Sequence, residues 1–147
     1  MKVIKLTNGK ETIVDNRYYD WLKKYQWYYI NGYAMGRIDN KVIYMHRAIL
    51  KAFLGEECDH INGDRLDNRR ENLRLCTHVE NIANRGKHKN NKTGHKGIQW
   101  DSRWRKWRAR SKRNGEPLFD RGFENIEDAI SFYREEILKH DKEFARF

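Results

Sequence analysis

Between Arg85 and Arg113 the chain places twelve lysines and arginines against a single acid, Asp101. A stretch this charged cannot be buried on both sides, so whatever it folds into must pack one face and expose the other. The rest of the chain is close to neutral, and the formal charge of +10 is therefore a localised field that suits a polyanionic partner such as nucleic acid. With 38% hydrophobic residues over 147 positions, the chain can form one modest domain or two small ones, but not one large core. Two small units is the reading adopted.

No hydrophobic run approaches a membrane span, and Met1-Lys2-Val3-Ile4-Lys5-Leu6 lacks the apolar core of a signal peptide, so a cytosolic protein is expected. Cys58 and Cys76 are the only cysteines and form no C-x-x-C pair, which excludes a disulfide framework and a four-cysteine zinc site. A mixed site adding His46 or His78 fits no common zinc spacing, and two reduced thiols is the preferred reading.

The first third reads as short strands with one helix. Val3–Leu6 and Thr12–Val14 flank an Asn8-Gly9 hairpin signal, and Asp15 or Asn16 can cap a helix carrying Tyr18, Trp21 and Leu22 on one face. Trp27–Ile30, Tyr33–Ile38 and Lys41–Tyr44 look like strands joined by Asn31-Gly32 and Asp39-Asn40; their aromatic residues, Tyr33 included, are read mostly as core. A second helix is expected over Met45–Phe53 with Ile49, Leu50 and Phe53 inward, ending at Gly55. From Glu56 to about Asn90 the order is strand (Cys58–Ile61), polar loop, strand (Leu73–Cys76) and a helix capped by a Thr77–Glu80 capping box.

That last segment concentrates chemistry. Asp59, His60, Asn72 and Asn81 supply a carboxylate, an imidazole and two carboxamides among Arg65, Arg69, Arg70, Arg74 and Arg85. Asn81 falls in the first helical turn, where it can face the strand carrying Asp59 and His60, with Arg85 at i+4. Taken singly, each has a plain structural reading: an Asp-His pair is common, Asn72 can cap a turn, and Asn81 can be a surface helix residue. His46 fits packing or phosphate binding as well as a place in the site, and His78 reads as a first-turn helix residue. An EF-hand starting at Asp59 fails, because Ile61 and Gly63 stand where oxygen ligands are required. No nucleophile sits in a hydrolase elbow.

The run His46-Arg47 … Asp59-His60-Ile61-Asn62-Gly63-Asp64 … Asn68 … Glu71-Asn72-Leu73-Arg74 … Glu80-Asn81 resembles the HNH endonucleases, in the phage-borne branch related to homing enzymes. The likeness covers nearly all of residues 1–90. It implies a ββα-metal finger, with Asp59 and Asn81 as metal ligands, His60 as general base and Asn72 as the residue that braces the loop and keeps the histidine oriented. Many members have His where this chain has Asn81; an oxygen donor there favours Mg²⁺ or Mn²⁺ over Zn²⁺. Arg74 or Arg85 is then a candidate for holding the adjacent phosphate.

Gly86–Gly94 is polar and basic with no apolar period, as expected for a linker. From Lys96 a new pattern begins. Trp107, Ala109 and Ser111 alternate with Arg108, Arg110 and Lys112; Asn114-Gly115 turns the chain into Pro117–Phe123; and Asn125 precedes a helix with Ile126, Ala129, Ile130, Tyr133 and Ile137 on one stripe. Gly97-Ile98, Trp100, Lys106-Trp107, Gly122-Phe123 and Glu127-Asp128-Ala129-Ile130 with Tyr133 resemble the AP2 DNA-binding domain. In that family the three-stranded sheet enters the major groove, which makes Gln99, Arg103, Arg105, Arg108, Arg110 and Lys112 candidates for base or phosphate contact.

The sequence is therefore read as an α+β protein. Residues 1–90 form a nuclease domain with its metal-finger core at about 56–90, residues 91–95 a basic linker, and residues 96–147 a three-stranded antiparallel sheet on one helix. The function expected is hydrolysis of double-stranded DNA by a phage homing endonuclease or nickase using one divalent ion, monomeric or otherwise, in the bacterial host cytoplasm. A non-catalytic DNA-binding regulator using the same fold as a scaffold is the competing reading.

Overall fold

In the computed structural model, which describes residues 1–147, small antiparallel sheets alternate with helices in two compact units, Met1–Asn81 and Ile82–Phe147. No helix is long and apolar enough to cross a membrane.

In the first unit, β1 (Lys2–Lys5) and β2 (Glu11–Val14) pair with Lys2 opposite Val14, around a tight turn closed by the Leu6 amide donating to the Lys10 carbonyl. Helix α1 (Asn16–Leu22) follows. Asp15 does not cap it through its side chain; that carboxylate instead accepts from the Arg70 amide at 2.7 Å, tying the helix entry to a distant loop. Strands β3 (Trp27–Ile30), β4 (Tyr33–Ile38) and β5 (Lys41–Tyr44) form one sheet in sequence order. Asn31-Gly32 and Asp39-Asn40 all take positive φ, the backbone that two-residue hairpin turns require. The core gathers Val14, Leu22, Trp27, Met45, Ile49 and Leu73, with the Trp27 indole donating to the Leu22 carbonyl at 2.9 Å.

Helix α2 (Met45–Leu50) is shorter than expected. Lys51 adopts a left-handed conformation and turns the chain out, leaving Phe53 78% exposed instead of packed inward. Arg47 reaches back from the helix and donates to the carbonyls of Phe53 and Glu56, both at 2.7 Å, which holds the emerging loop. Strand β6 (Glu57–His60) then pairs with β7 (Leu73–Cys76), Asp59 opposite Arg74 and His60 opposite Leu73. The start of α3 (His78–Ala83) is closed by the expected box: the Thr77 amide donates to the Glu80 carboxylate at 2.7 Å and the Glu80 amide to the Thr77 hydroxyl at 3.3 Å. Arg85 lies beyond the end of this helix, so the i+4 relation to Asn81 is not made.

The second unit has β8 (Ile98–Asp101), β9 (Lys106–Arg113) and β10 (Glu116–Phe123) in the order β10-β9-β8, covered by α4 (Ile126–Asp141). Asn125 caps α4 by accepting from the Asp128 amide at 2.9 Å. Ile98, Ala109, Ala129, Tyr133 and Ile137 make the core, and Trp107 packs on it from the same face of β9 as Ala109. Residues 91–95, expected as a linker, are a hydrogen-bonded turn of this unit: the Thr93 hydroxyl contacts the His95 and Ile98 carbonyls, and the Asn91 amide donates to His95. The Lys96 ammonium is drawn in to the Ala83 carbonyl at 2.6 Å; burial and the nearby Arg146 pull its pKa down to about 8.

Gly97 is required twice over. Its φ is +72°, and a Cβ there would run into the Tyr133 ring and the Arg110 carbonyl. Gly97→Ala is expected to destabilise the second unit by about 1–3 kcal/mol through strain and overpacking, read as a lower midpoint in chemical denaturation followed by the near-ultraviolet signal.

Candidate functional site

His60 ends β6 and is 4% exposed. Its Nε2 lies 3.4 Å from the Asn68 Oδ1, and the side chains behind Asn68 decide which atom donates. The Thr12 hydroxyl donates to the Leu66 carbonyl at 2.7 Å, and a hydroxyl has only one hydrogen. Thr12 can therefore only accept from Asn68, whose Nδ2 reaches it at 2.7 Å, so the Asn68 oxygen faces the imidazole. Facing an acceptor, His60 carries its hydrogen on Nε2, which makes Nδ1 the basic nitrogen of the neutral ring. Strand β2 supports this arrangement, since Ile13 bonds to both Leu66 and Asn68 through the backbone.

Asn72 acts one step further out. Its Nδ2 donates to the Asp67 carbonyl at 2.8 Å and its Oδ1 accepts from the Asn62 amide at 2.9 Å, so it spans the loop between the strands. The ring of His60 contacts Asn68, not Asn72. Asp67 completes the loop by accepting from Asn62 at 2.9 Å and from two nitrogens of Arg69; the Arg69 bonds hold its carboxyl below the usual range.

Asp59 is 7% exposed and is gripped by its cross-strand partner, with Arg74 Nε and Nη2 at 3.2 and 3.0 Å from Oδ2. Asn81 meets Glu57 instead of Asp59: its Nδ2 donates to Glu57 Oε2 at 2.6 Å, while the other carboxylate oxygen lies 2.6 Å from His78 Nδ1. Glu57 stands two residues before Asp59 on the same face of β6. Both charges act on the Cys76 thiol, where burial and then Asp59 and Glu57 push the pKa up to about 12. Cys58, on the other face, also has its thiol pushed up, chiefly by burial. Both cysteines are free.

An aromatic wall backs His60. The His46 ring meets it edge-on at 4.9 Å, and Tyr33 contacts both imidazoles, so Tyr33 lines the site instead of serving only the core. The Arg65 guanidinium sits over Tyr33 at 4.5 Å. Burial lowers the His60 pKa, against upward pulls from Asn68 and the Asp59 charge, so the ring is neutral near pH 7. His46 falls to about 3, from burial first, then from His60 and Arg47.

In the second unit the outward face of β9 carries Arg108, Arg110 and Lys112 beside Gln99 of β8. Arg108 is not open to a ligand in the way its neighbours are. Asp120, brought in from β10, takes its Nε at 2.9 Å and Nη2 at 2.6 Å, and Asp101 takes Nη1 at 3.3 Å. Asp101 also accepts from the Arg103 and Trp104 amides, which lowers its pKa and shapes the β8–β9 turn. Arg103 lies over the ring of Trp104, which is 62% exposed, and Arg105 is exposed in a left-handed conformation.

Glu57, Asn68 and Trp104 are the residues that sequence reading did not single out for a role. Glu57 had a usable signal, its place at i−2 from Asp59 on one strand face; the pairing of Asn68 with Thr12, 56 residues away, had none.

A family model described as HNH endonuclease matches residues 43–83. Protein 3.8 of Escherichia phage T7 is 33% identical over 93 residues, which cover 63% of this chain and 76% of that protein. No solved structure matches.

The buried neutral histidines set a pH dependence. An unfolded histidine gains a proton near pH 6.5, while folded His46 resists it until about pH 3. This contribution is complete above pH 6.5 and is lost as pH falls towards 3, at about 1.4 kcal/mol per unit. Between pH 6.5 and 4.5, urea denaturation should show wild type losing stability more steeply than His46→Leu.

Proposed function

Because the chain belongs to the family that includes Protein 3.8 of Escherichia phage T7, with an HNH endonuclease domain near its centre, we propose that it is a metal-dependent DNA endonuclease of the homing type. The observation that carries this reading is the placement of His60, a buried neutral imidazole at the end of β6 whose Nε2 lies 3.4 Å from the Asn68 Oδ1. Its Nδ1 removes a proton from the water that attacks a phosphodiester phosphorus, and such a base contributes roughly 10²- to 10⁴-fold in rate.

Asp59 and Asn81 offer a carboxylate and an amide oxygen, a donor set suited to a hard cation. They would hold Mg²⁺ or Mn²⁺, which supplies Lewis-acid stabilisation of the negative charge that builds on the phosphate oxygens. Arg74 has a separate part. Its guanidinium keeps the Asp59 carboxylate aimed, and gives a phosphate a cationic neighbour. Asn72 holds the loop that follows the base.

The second unit is proposed as an AP2-like targeting module that lays its open sheet face on duplex DNA. Gln99, Arg110 and Lys112 present themselves directly; Arg103 and Arg105 flank the Trp104 turn; and Arg108 is held rigid by two aspartates.

Supercoiled plasmid incubated with Mg²⁺ or Mn²⁺ should be nicked or linearised, with EDTA abolishing the reaction. His60→Ala should slow cleavage by about 10²-fold or more. Cleavage by neither metal on any DNA would leave the non-catalytic DNA-binding scaffold as the better reading. Thr12→Val keeps the side-chain shape but releases Asn68 to turn over; one lost hydrogen bond of about 1 kcal/mol predicts a rate roughly fivefold lower. Replacing Arg110 and Lys112 together with alanine should flatten the salt dependence of DNA binding by about two phosphate contacts, measured by fluorescence anisotropy across a salt series.

A further inference from the structure

Glu57 is the acidic side chain that the proposed chemistry leaves without a task. It is half-buried, lies on the Asp59 face of β6, and lines a surface cleft with Cys76, Thr77, His78 and Glu80. Its two oxygens are divided between two partners on α3: Oε1 with His78 Nδ1 and Oε2 with Asn81 Nδ2, each at 2.6 Å.

The carboxamide of an asparagine has two faces of opposite character. Only its oxygen can ligate a cation, and its nitrogen repels one. Turning about the last side-chain bond exchanges the two at little cost, so an asparagine ligand needs something to choose for it. A carboxylate accepts hydrogen bonds and donates none, so the group facing Glu57 must be the amine, and the oxygen of Asn81 is turned away from Glu57. His78 fixes the carboxylate in its turn by holding the other oxygen. A ligating aspartate at position 81 would need no such choice, because its two oxygens are equivalent.

We propose that Glu57 is a positioning residue for metal binding, which orients the Asn81 carboxamide so that its oxygen is presented to the cation. This rests on the reading of Asp59 and Asn81 as the metal pair. Partners of this kind are typically worth about 10- to 100-fold in metal affinity.

The test titrates the full chain with Mn²⁺ alone and reads free Mn²⁺ by electron paramagnetic resonance, with circular dichroism to confirm folding. Glu57→Ala should weaken binding tenfold or more. Glu57→Gln keeps an oxygen that can accept from Asn81, while His78 changes tautomer to accept from the new amide, so its affinity should stay within about threefold of wild type. In an Asn81→Asp background, where no orientation is needed, adding Glu57→Ala should cost less than twofold. The proposal is overturned if Glu57→Gln falls as far as Glu57→Ala, if Glu57→Ala leaves affinity unchanged, or if the alanine effect persists undiminished in the Asn81→Asp background. Should the Ala variant unfold, Glu57→Gln tests the proposal by itself, a loss of tenfold or more in a folded Gln variant overturning it. Asp59→Asn separates the two levels: if it binds Mn²⁺ as wild type does, the metal pair itself is misassigned, whereas loss of binding in Asp59→Asn with none in Glu57→Ala removes only the role of Glu57.

Discussion

One hydrogen atom, on the Thr12 hydroxyl, sets the direction of the hydrogen bond between Asn68 and His60. Spent on the Leu66 carbonyl, it forces Asn68 to donate, and that forces His60 to do the same. The chain of bonds joins the N-terminal hairpin, the loop after β6 and the imidazole, three segments with no short-range reason to meet. Because each member has a fixed number of donors and acceptors, the arrangement has a single self-consistent solution. The burial of Thr12 and Asn68 enforces it, since neither can exchange its partner for water.

The same economy governs the charged half of the site. Asp59 is nearly buried, and an isolated carboxylate there would be costly; the opposed Arg74 offsets that cost. His46 takes the opposite course, remaining neutral against His60 so that two imidazoles can share a dry wall with Tyr33. Neither device improves stability in itself. Removing one partner of a buried pair typically costs about 3–5 kcal/mol.

Local signals in the sequence carried much of the architecture. Asn31-Gly32 and Asp39-Asn40 placed the β3–β4–β5 turns because few other residues take positive φ there, and Thr77 with Glu80 placed the start of α3. The apolar period runs on through Phe53, but α2 ends sooner, because Lys51 leaves the helix and Arg47 gathers the loop carbonyls behind it. Non-local partners were illegible for a physical reason. Asp120 meets Arg108 only because the Asn114-Gly115 turn and the bulge after Pro117 set the register of β10 on β9. Family resemblance implies that Asn72 braces the loop, and it spans that loop here, whereas the bond to the ring comes from Asn68, a partner that depends on the packing of β2 against the loop.

That register also changes what the concentration of positive charge means. Counted along the sequence, Arg85–Arg113 is almost uniformly basic; in the sheet, Asp101 and Asp120 stand among its cations and neutralise Arg108, and Lys96 is drawn into the protein. A uniformly cationic face would bind any duplex tightly and release counterions without regard to sequence. Aspartates built into such a face lower that indiscriminate attraction and hold Arg108 in one orientation. Discrimination between duplexes is set by the difference between specific and non-specific attachment, so weakening the second is as useful as strengthening the first.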